Sequence, residues 1–121
     1  MAGSETGVVA IVDDDSAVRD SLKFVLEVSG HNVVTYASAA EFLGNRDTHP
    51  ACLILDQHMP QMTGLELTAR LRREGETLPV LLITASPSPD IAARAAQLGV
   101  EKVLEKPPRE HELLGFVERH N

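Results

Sequence analysis

The fold is decided by the stretch Ala51-Cys52-Leu53-Ile54-Leu55-Asp56-Gln57-His58-Met59-Pro60, in which an apolar run ends abruptly at one aspartate. A short continuous apolar run is typical of a strand that is buried on both faces of a parallel sheet. The proline that follows indicates that regular structure stops there. Ligands of open α/β sheets bind beyond the carboxyl ends of the strands, so Asp56 is predicted to lie at a functional site.

Four more segments read as strands, and segments with helical periodicity separate them. The apolar runs are residues 8–12, 32–36, 79–84 and 103–104. A helix is predicted after every strand, with Ser16, Ser38 and Ser88 as N-caps. Strands that alternate with helices predict parallel βα units with right-handed crossovers. We therefore expect an α/β fold, a single doubly wound (βα)5 domain over residues 8–121, preceded by a polar leader at residues 1–7.

The composition is that of a folded protein with an acidic surface. The formal net charge is −7, and we expect no direct contact with nucleic acid, because such an interface usually needs a basic patch. No apolar stretch approaches the roughly 18 residues that span a membrane, and the N-terminus does not resemble a signal peptide. We therefore expect a cytoplasmic protein outside the membrane. The only cysteine, Cys52, is expected to be a buried hydrophobic residue.

Polar side chains follow four of the five predicted strands: Asp13 and Asp14, then Asp56, Thr84 and Lys106. Closely packed carboxylates need compensating charge, which a lysine or a hard cation such as Mg²⁺ supplies. A carboxylate can also act as a nucleophile toward phosphorus. We therefore predict a Mg²⁺-assisted phospho-acceptor site with Asp56 as the nucleophile. Asp13 and Asp14 would hold the metal, and Thr84 and Lys106 the phosphoryl group.

Other polar residues near these strand ends have simpler explanations. Asp15 is expected to stabilise the start of the first helix through the helix dipole. His58 adjoins the acids, but we expect an exposed loop residue, because no second histidine lies near it in sequence. The remaining histidines lack metal-ligand spacing and are expected at the surface: His31, His49, His111 and His120.

Together these residues resemble the receiver domains of two-component response regulators. The motifs span nearly the whole chain: Val12-Asp13-Asp14, Leu55-Asp56 with Met59-Pro60 and Gly64, Ile83-Thr84-Ala85, and Lys106-Pro107. Each motif is short, but their order and spacing are specific. Residues 17–19 and 39–43 look most like FixJ-type receivers, whose usual outputs are transcriptional.

The resemblance implies a parallel sheet in the strand order 2-1-3-4-5 and a phosphorelay function. By this match, Asp56 takes a phosphoryl group from the phosphohistidine of a sensor histidine kinase or phosphotransfer protein. Thr84 and Lys106 would contact the phosphoryl oxygens, and the Lys106–Pro107 bond would be cis. Phosphorylation would switch an output domain or effector protein. Such a domain is not an enzyme in the usual sense, because it catalyses only its own phosphorylation and dephosphorylation.

The resemblance also implies which residues bind the metal, and it leaves homodimerisation open. Asp14 and Asp56 would bind Mg²⁺ through their side chains, Asp13 largely through water, and His58 through its backbone carbonyl. A homodimer through the face of the fourth helix and fifth strand is left open.

Three features depart from the family pattern. Val103 stands three residues before the lysine, where receivers usually carry a Phe or Tyr whose rotation accompanies activation. Pro108 stands where a Phe is common. His58 and Ser86 occupy variable positions that flank the route of the attacking water, so we expect them to tune the lifetime of the phosphoryl group.

Three alternatives remain open on the sequence. A haloacid-dehalogenase-type phosphatase would use Asp13 of Asp13-Asp14-Asp15 as its nucleophile, although Ala17 stands where a Thr or Val is expected. A flavodoxin-like electron carrier shares the strand order but needs a hydroxyl- and glycine-rich phosphate loop in place of the three aspartates. A pseudo-receiver would bind a partner without phosphorylation.

Overall fold

The computed structural model describes residues 7–45 and 48–121, in which five strands alternate with five helices. The strands are β1 (Val8–Val12), β2 (Asn32–Tyr36), β3 (Cys52–Asp56), β4 (Val80–Thr84) and β5 (Lys102–Glu105). The helices are α1 (Ser16–Val28), α2 (Ala39–Leu43), α3 (Gly64–Arg73), α4 (Pro89–Gln97) and α5 (Glu110–His120). The leader predicted at residues 1–7 lies outside the described residues except for Gly7.

The strands form one parallel sheet in the order β2-β1-β3-β4-β5, which confirms the predicted fold class and strand order. Strand β3 lies in the middle, where Leu53 stands beside Ala10 of β1 and Val80 of β4. Every residue of β3 and β4 is buried, whereas the edge strands β2 and β5 are partly exposed. Because β1, β3 and β4 are neighbours, their carboxyl ends open onto the same edge of the sheet.

The two faces of the sheet are covered by different helices. Successive strand residues point to opposite faces, so Leu53 and Leu55 belong to one core with α2, α3 and α4, while Cys52 and Ile54 belong to the other. Helices α1 and α5 cover this second face, with Phe116 fully buried. Burial, with a smaller effect from Glu101, raises the pKa of Cys52 to about 12. The thiol is therefore a neutral core group, as predicted.

The start of α1 corrects one prediction. Ser16 was expected to be the N-cap, but it is the first helical residue and Asp15 is the cap. The Asp15 carboxylate accepts the N–H groups of Ala17 at 2.9 Å and Val18 at 3.3 Å. The Asp15 N–H in turn donates to Asp13 Oδ1 at 2.9 Å, so a turn built on Asp13 orients the cap. The expectation that Asp15 supports the start of this helix is confirmed.

The other two serine caps are confirmed. The hydroxyls of Ser38 and Ser88 accept N–H groups in the first turns of α2 and α4. Helix α3 begins at Gly64 behind a capping box, in which Thr63 and Glu66 each accept the other's backbone N–H. Among the described residues, no helix is long and apolar enough to cross a membrane.

Candidate functional site

Three carboxylates meet at the carboxyl edge of the sheet. Asp13 and Asp14 follow β1, Asp56 ends the neighbouring β3, and one carboxylate oxygen of each lies within 4.8 Å of those of the other two. Asp13 and Asp56 are buried, while Asp14 is exposed. The structure thus brings together the acids that the sequence predicted to share a site. Oxygen donors of this kind suit a hard divalent cation, so the cluster could hold a metal.

Lys106 reaches this cluster from the loop after β5. Its Nζ lies 2.9 Å from Asp13 Oδ2 and 3.1 Å from Asp56 Oδ1. Its backbone N–H donates to the carbonyl of Thr84 at 2.9 Å, which fixes the loop against the end of β4. The Lys106–Pro107 peptide bond is cis, as the resemblance implied. One ammonium group therefore compensates two buried carboxylates.

Electrostatics at the site follow from this packing. Burial raises the pKa of Asp56 above its ordinary value, the hydrogen bond from Lys106 opposes this, and the charge of Asp13 adds to it. Burial alone would lower the pKa of Lys106, but its hydrogen bonds to the two acids outweigh burial and hold that pKa above its ordinary value. The lysine therefore stays charged at neutral pH, and the site carries excess negative charge that a cation would offset.

The two carboxylate oxygens of Asp56 differ in their hydrogen bonding. Its Oδ1 accepts the N–H of His58 at 3.3 Å and faces Lys106. Its Oδ2 has no hydrogen-bond partner in the described part of the chain. An unshared carboxylate oxygen beside an ammonium group is the arrangement that a carboxylate nucleophile needs.

Thr84 lies at the same edge, one residue beyond the point at which Ile83 stands beside Asp56. The side chain is fully buried, and its Oγ1 accepts the N–H of Ser86 at 3.1 Å. No hydrogen bond joins Thr84 to Asp56 in the described residues. The hydroxyl proton is therefore available to a group that sits between the strand ends.

The histidines differ in exposure. His58, His49 and His111 are exposed, as predicted. His31 and His120 are half-buried, so they reach the surface only in part. His31 contacts the Asn121 side chain at 3.2 Å, and His120 contacts Glu101.

Sequence reasoning assigned no structural role to three residues that hold the acids in place. The Gln57 side chain accepts the N–H of Leu65 at 2.9 Å, and Arg19 donates to the carbonyl of Asp13 at 2.7 Å. A Cβ on Gly64 would lie 2.6 Å from the Asp56 carbonyl oxygen, so only glycine lets α3 begin this close to β3. The position of Gln57 directly after Asp56 could have drawn attention to it, whereas Arg19 and Gly64 entered only as parts of motifs that the resemblance rests on.

Comparisons with known proteins agree with this geometry. A family model described as the response regulator receiver domain matches residues 9–118. The response regulator protein TodT of Pseudomonas putida is 36% identical over 91% of this chain and 49% of its own length. The transcriptional regulatory protein FixJ of Azorhizobium caulinodans is 40% identical over 82% of this chain and 47% of its own length. This chain thus spans about half the length of the curated relatives that it matches.

Solved structures show the same fold. The chemotaxis protein CheY4 of Vibrio cholerae superimposes with a TM-score of 0.88 at 28% identity, covering 97% of this chain and 100% of CheY4. The structure of FixJ-N gives a TM-score of 0.86 at 32% identity, covering 96% of this chain and 94% of FixJ-N. Neither the phosphatase nor the electron-carrier alternative gains support from these matches. The chain therefore belongs to the receiver domains of two-component response regulators.

Proposed function

We propose that Asp56 is the phospho-acceptor of this receiver domain and that the donor is the phosphohistidine of a sensor histidine kinase or phosphotransfer protein. One observation carries the proposal: a buried carboxylate at the end of the central strand contacts a lysine at 3.1 Å, and its second oxygen accepts no hydrogen bond from the described residues. Neither Asp13 nor Asp14 offers this combination. Asp13 gives one oxygen to Lys106 and the other to the Asp15 N–H, and Asp14 is exposed.

The proposed step transfers one phosphoryl group. Asp56 Oδ2 attacks phosphorus, the new O–P bond forms as the N–P bond of the phosphohistidine breaks, and the imidazole nitrogen keeps the electron pair of that bond. Lys106 offsets charge on the phosphoryl oxygens, and the Thr84 hydroxyl donates a hydrogen bond to one of them. Catalysis of such a transfer rests mainly on positioning and on charge neutralisation, which these residues supply.

Mg²⁺ fits the donor set at this site. Asp14 and Asp56 would hold it through their side chains, Asp13 largely through water, and His58 through its backbone carbonyl. When bound, the cation supplies positive charge that offsets the carboxylates and the phosphoryl oxygens. The excess negative charge of the cluster in the protein alone supports this assignment.

An apolar surface next to the site supports docking of the phosphodonor protein. A cavity of about 380 Å³ opens beside Lys106 and is lined by Ala17, Val18, Ser21, Leu22, Pro107 and Pro108. Two large apolar side chains further along α1 are exposed, Phe24 by 68% and Val28 by 70%. We propose that a helix of the donor covers this face of α1 and brings its phosphohistidine to Asp56.

Incubation with Mg²⁺ and acetyl phosphate, followed by intact mass measurement, tests the acceptor assignment without a donor protein. We expect one phosphate adduct on the parent chain, none on Asp56→Asn, and none when EDTA replaces Mg²⁺. The matched control is Asp20→Asn, which changes an exposed aspartate of α1 and should keep the adduct. A parent chain that gains no adduct would favour a pseudo-receiver instead, and an adduct that persists in Asp56→Asn would reassign the acceptor.

Val103 bears on the output of the domain. It is half-buried and packs against the core that contains α4, in the position where other receivers carry an aromatic residue. We propose that phosphorylation still switches an output domain or effector protein, but by a coupling that does not use a rotating aromatic ring. Four statements about the whole protein stay predictions: its output, its cytoplasmic location, its lack of contact with nucleic acid, and homodimerisation through α4 and β5.

A further inference from the structure

A groove along α3 plays no part in the site described above. It has a volume of about 460 Å³, which is in the range of ligand-binding clefts. Its apolar floor is formed by Met62, Leu65 and Ala69, and three arginines stand around it: Arg70, Arg73 and Arg94 of α4. None of the site residues Asp56, Thr84 and Lys106 lines it.

The positive charge at this groove is largely uncompensated. Arg70 pairs with Glu74 at 3.2 Å on the exposed surface. Arg73 has no ion pair or hydrogen bond to the residues that the structure describes, and Arg94 reaches only Gln97, at 3.5 Å. The acid that lines the groove, Glu66, already accepts a backbone N–H in the capping box of α3. A chain of net charge −7 therefore concentrates cationic side chains around one apolar floor.

The helices that carry the groove are joined by Arg72, which does not itself line the groove. Arg72 donates to the carbonyl oxygens of Leu98 at 2.8 Å, Glu76 at 3.0 Å and Leu78 at 3.0 Å. This single guanidinium ties the end of α3 to the end of α4 and to the loop before β4. The backbone beneath the groove is therefore tied together, whereas the exposed arginine side chains around it must order when a ligand binds.

We propose that this groove binds an acidic peptide segment of a partner protein, with one apolar side chain of the segment on the floor. Guanidinium groups bind carboxylates through paired hydrogen bonds, and Arg70 and Arg73 lie one helical turn apart on α3. Glutamates on either side of an apolar residue would therefore meet the arginines while that residue contacts Leu65 and Ala69. The proposal does not depend on phosphorylation of Asp56, and unphosphorylated protein tests it.

The probe is a labelled synthetic peptide of Glu-Glu-Leu repeats, with a Gln-Gln-Leu peptide as its uncharged match. Titration followed by amide NMR shifts should map binding to residues 61–73 and to the surroundings of Arg94. We expect the double variant Arg73→Gln/Arg94→Gln to weaken binding by about three- to twentyfold, because each lost contact of an exposed arginine with a carboxylate is typically worth a factor of up to about five. The control Arg109→Gln removes an exposed arginine outside the groove and should change affinity less than about twofold.

Several outcomes would overturn the proposal. Equal binding of the Gln-Gln-Leu peptide would remove the role of charge, and equal weakening by Arg109→Gln would indicate unspecific attraction. Shifts confined to other surfaces would place the site elsewhere. Binding of phosphatidylserine vesicles or inorganic phosphate, without binding of the acidic peptide, would identify a different class of ligand. Self-association that Arg73→Gln/Arg94→Gln abolishes would assign the groove to a second copy of the chain.

Discussion

Replacing Lys106 by methionine should destabilise the protein by about 2–4 kcal/mol at neutral pH without divalent cations. Methionine keeps most of the apolar stem but removes the ammonium group that lies 2.9 Å from Asp13 and 3.1 Å from Asp56. Each contact is worth about 5 kcal/mol at an effective dielectric constant of about 20, and desolvation of the ammonium offsets much of this. The lysine side chain is only 19% exposed, so solvent screens these contacts weakly.

Protonation limits the part of the loss that comes from Asp56. Asp56 can take up a proton when the lysine is gone, at about 1.4 kcal/mol for each pH unit above its unfolded pKa of about 3.9. At about pH 7 the contribution of Asp56 can therefore scarcely exceed about 4 kcal/mol. Because the folded-state pKa of Asp56 is raised, the folded protein binds this proton more tightly, and stability falls as pH rises between the unfolded and folded pKa values. The difference between Lys106→Met and the parent should accordingly shrink as pH falls toward about 4.

Thermal and urea unfolding followed by circular dichroism measure this effect. In EDTA we expect a melting temperature lower by about 8–15 °C, given a few degrees per kcal/mol for a domain of this size. Mg²⁺ should recover part of the loss by replacing the missing positive charge. Lys106→Met should also be introduced into Asp56→Asn. In that background it should lower the free energy of unfolding clearly less than it does in the parent protein. Equal losses in both backgrounds, or a Lys106→Met variant as stable as the parent in EDTA, would refute the reasoning.

Three further predictions concern the metal, the surface and the start of α3. Asp14→Asn should weaken Mg²⁺ binding by about tenfold or more in fluorescence or NMR titrations while changing stability by less than about 0.5 kcal/mol, because Asp14 is exposed. Burial alone would raise the pKa of Glu101, but hydrogen bonds from Arg119 and His120 hold it below its ordinary value. Glu101→Gln should therefore lower the free energy of unfolding by about 0.5–1 kcal/mol at neutral pH, and should leave it unchanged once the pH falls below the folded-state pKa of Glu101. An equal loss of stability in acid would contradict this. Gly64→Ala should lower the free energy of urea unfolding by about 1–3 kcal/mol, because the new Cβ would lie 2.6 Å from the Asp56 carbonyl oxygen. The same displacement of Asp56 should slow its labelling by acetyl phosphate. Gly44→Ala is the control, because its Cβ meets nothing closer than 3.5 Å.

The helix caps illustrate where local sequence suffices and where it does not. Ser38 and Ser88 cap α2 and α4 as predicted, since a serine before a periodic segment has few competing arrangements. Three consecutive aspartates precede α1, and any of them, or Ser16, could have capped the helix. Asp15 is the cap because Asp13 turns inward to Lys106 and holds the Asp15 N–H, a contact that depends on a residue far along the chain.

At the candidate site, too, the sequence predicted some features and only the tertiary structure supplied the others. Their position in the sequence identified Asp13, Asp14, Asp56, Thr84 and Lys106, because polar residues at the ends of apolar runs stand out against a buried sheet. Only the folded structure supplies the distances between these residues, the hydrogen bonding of the two Asp56 oxygens, and the supporting contacts of Gln57 and Arg19. The groove along α3 is also a tertiary feature, since its arginines read in sequence as an ordinary basic helix end.

The sequence by itself determined the alternation of strands and helices, the buried character of the central strand and the chemical kinds of residue at the strand ends. These features depend on apolar periodicity and strand-end position, which are local properties of the chain. Only the tertiary structure decided that one lysine from the loop after β5 compensates two carboxylates from β1 and β3. Those contacts require the sheet order to place β1 beside β3 and the last loop against the end of β4, and no local pattern contains that information.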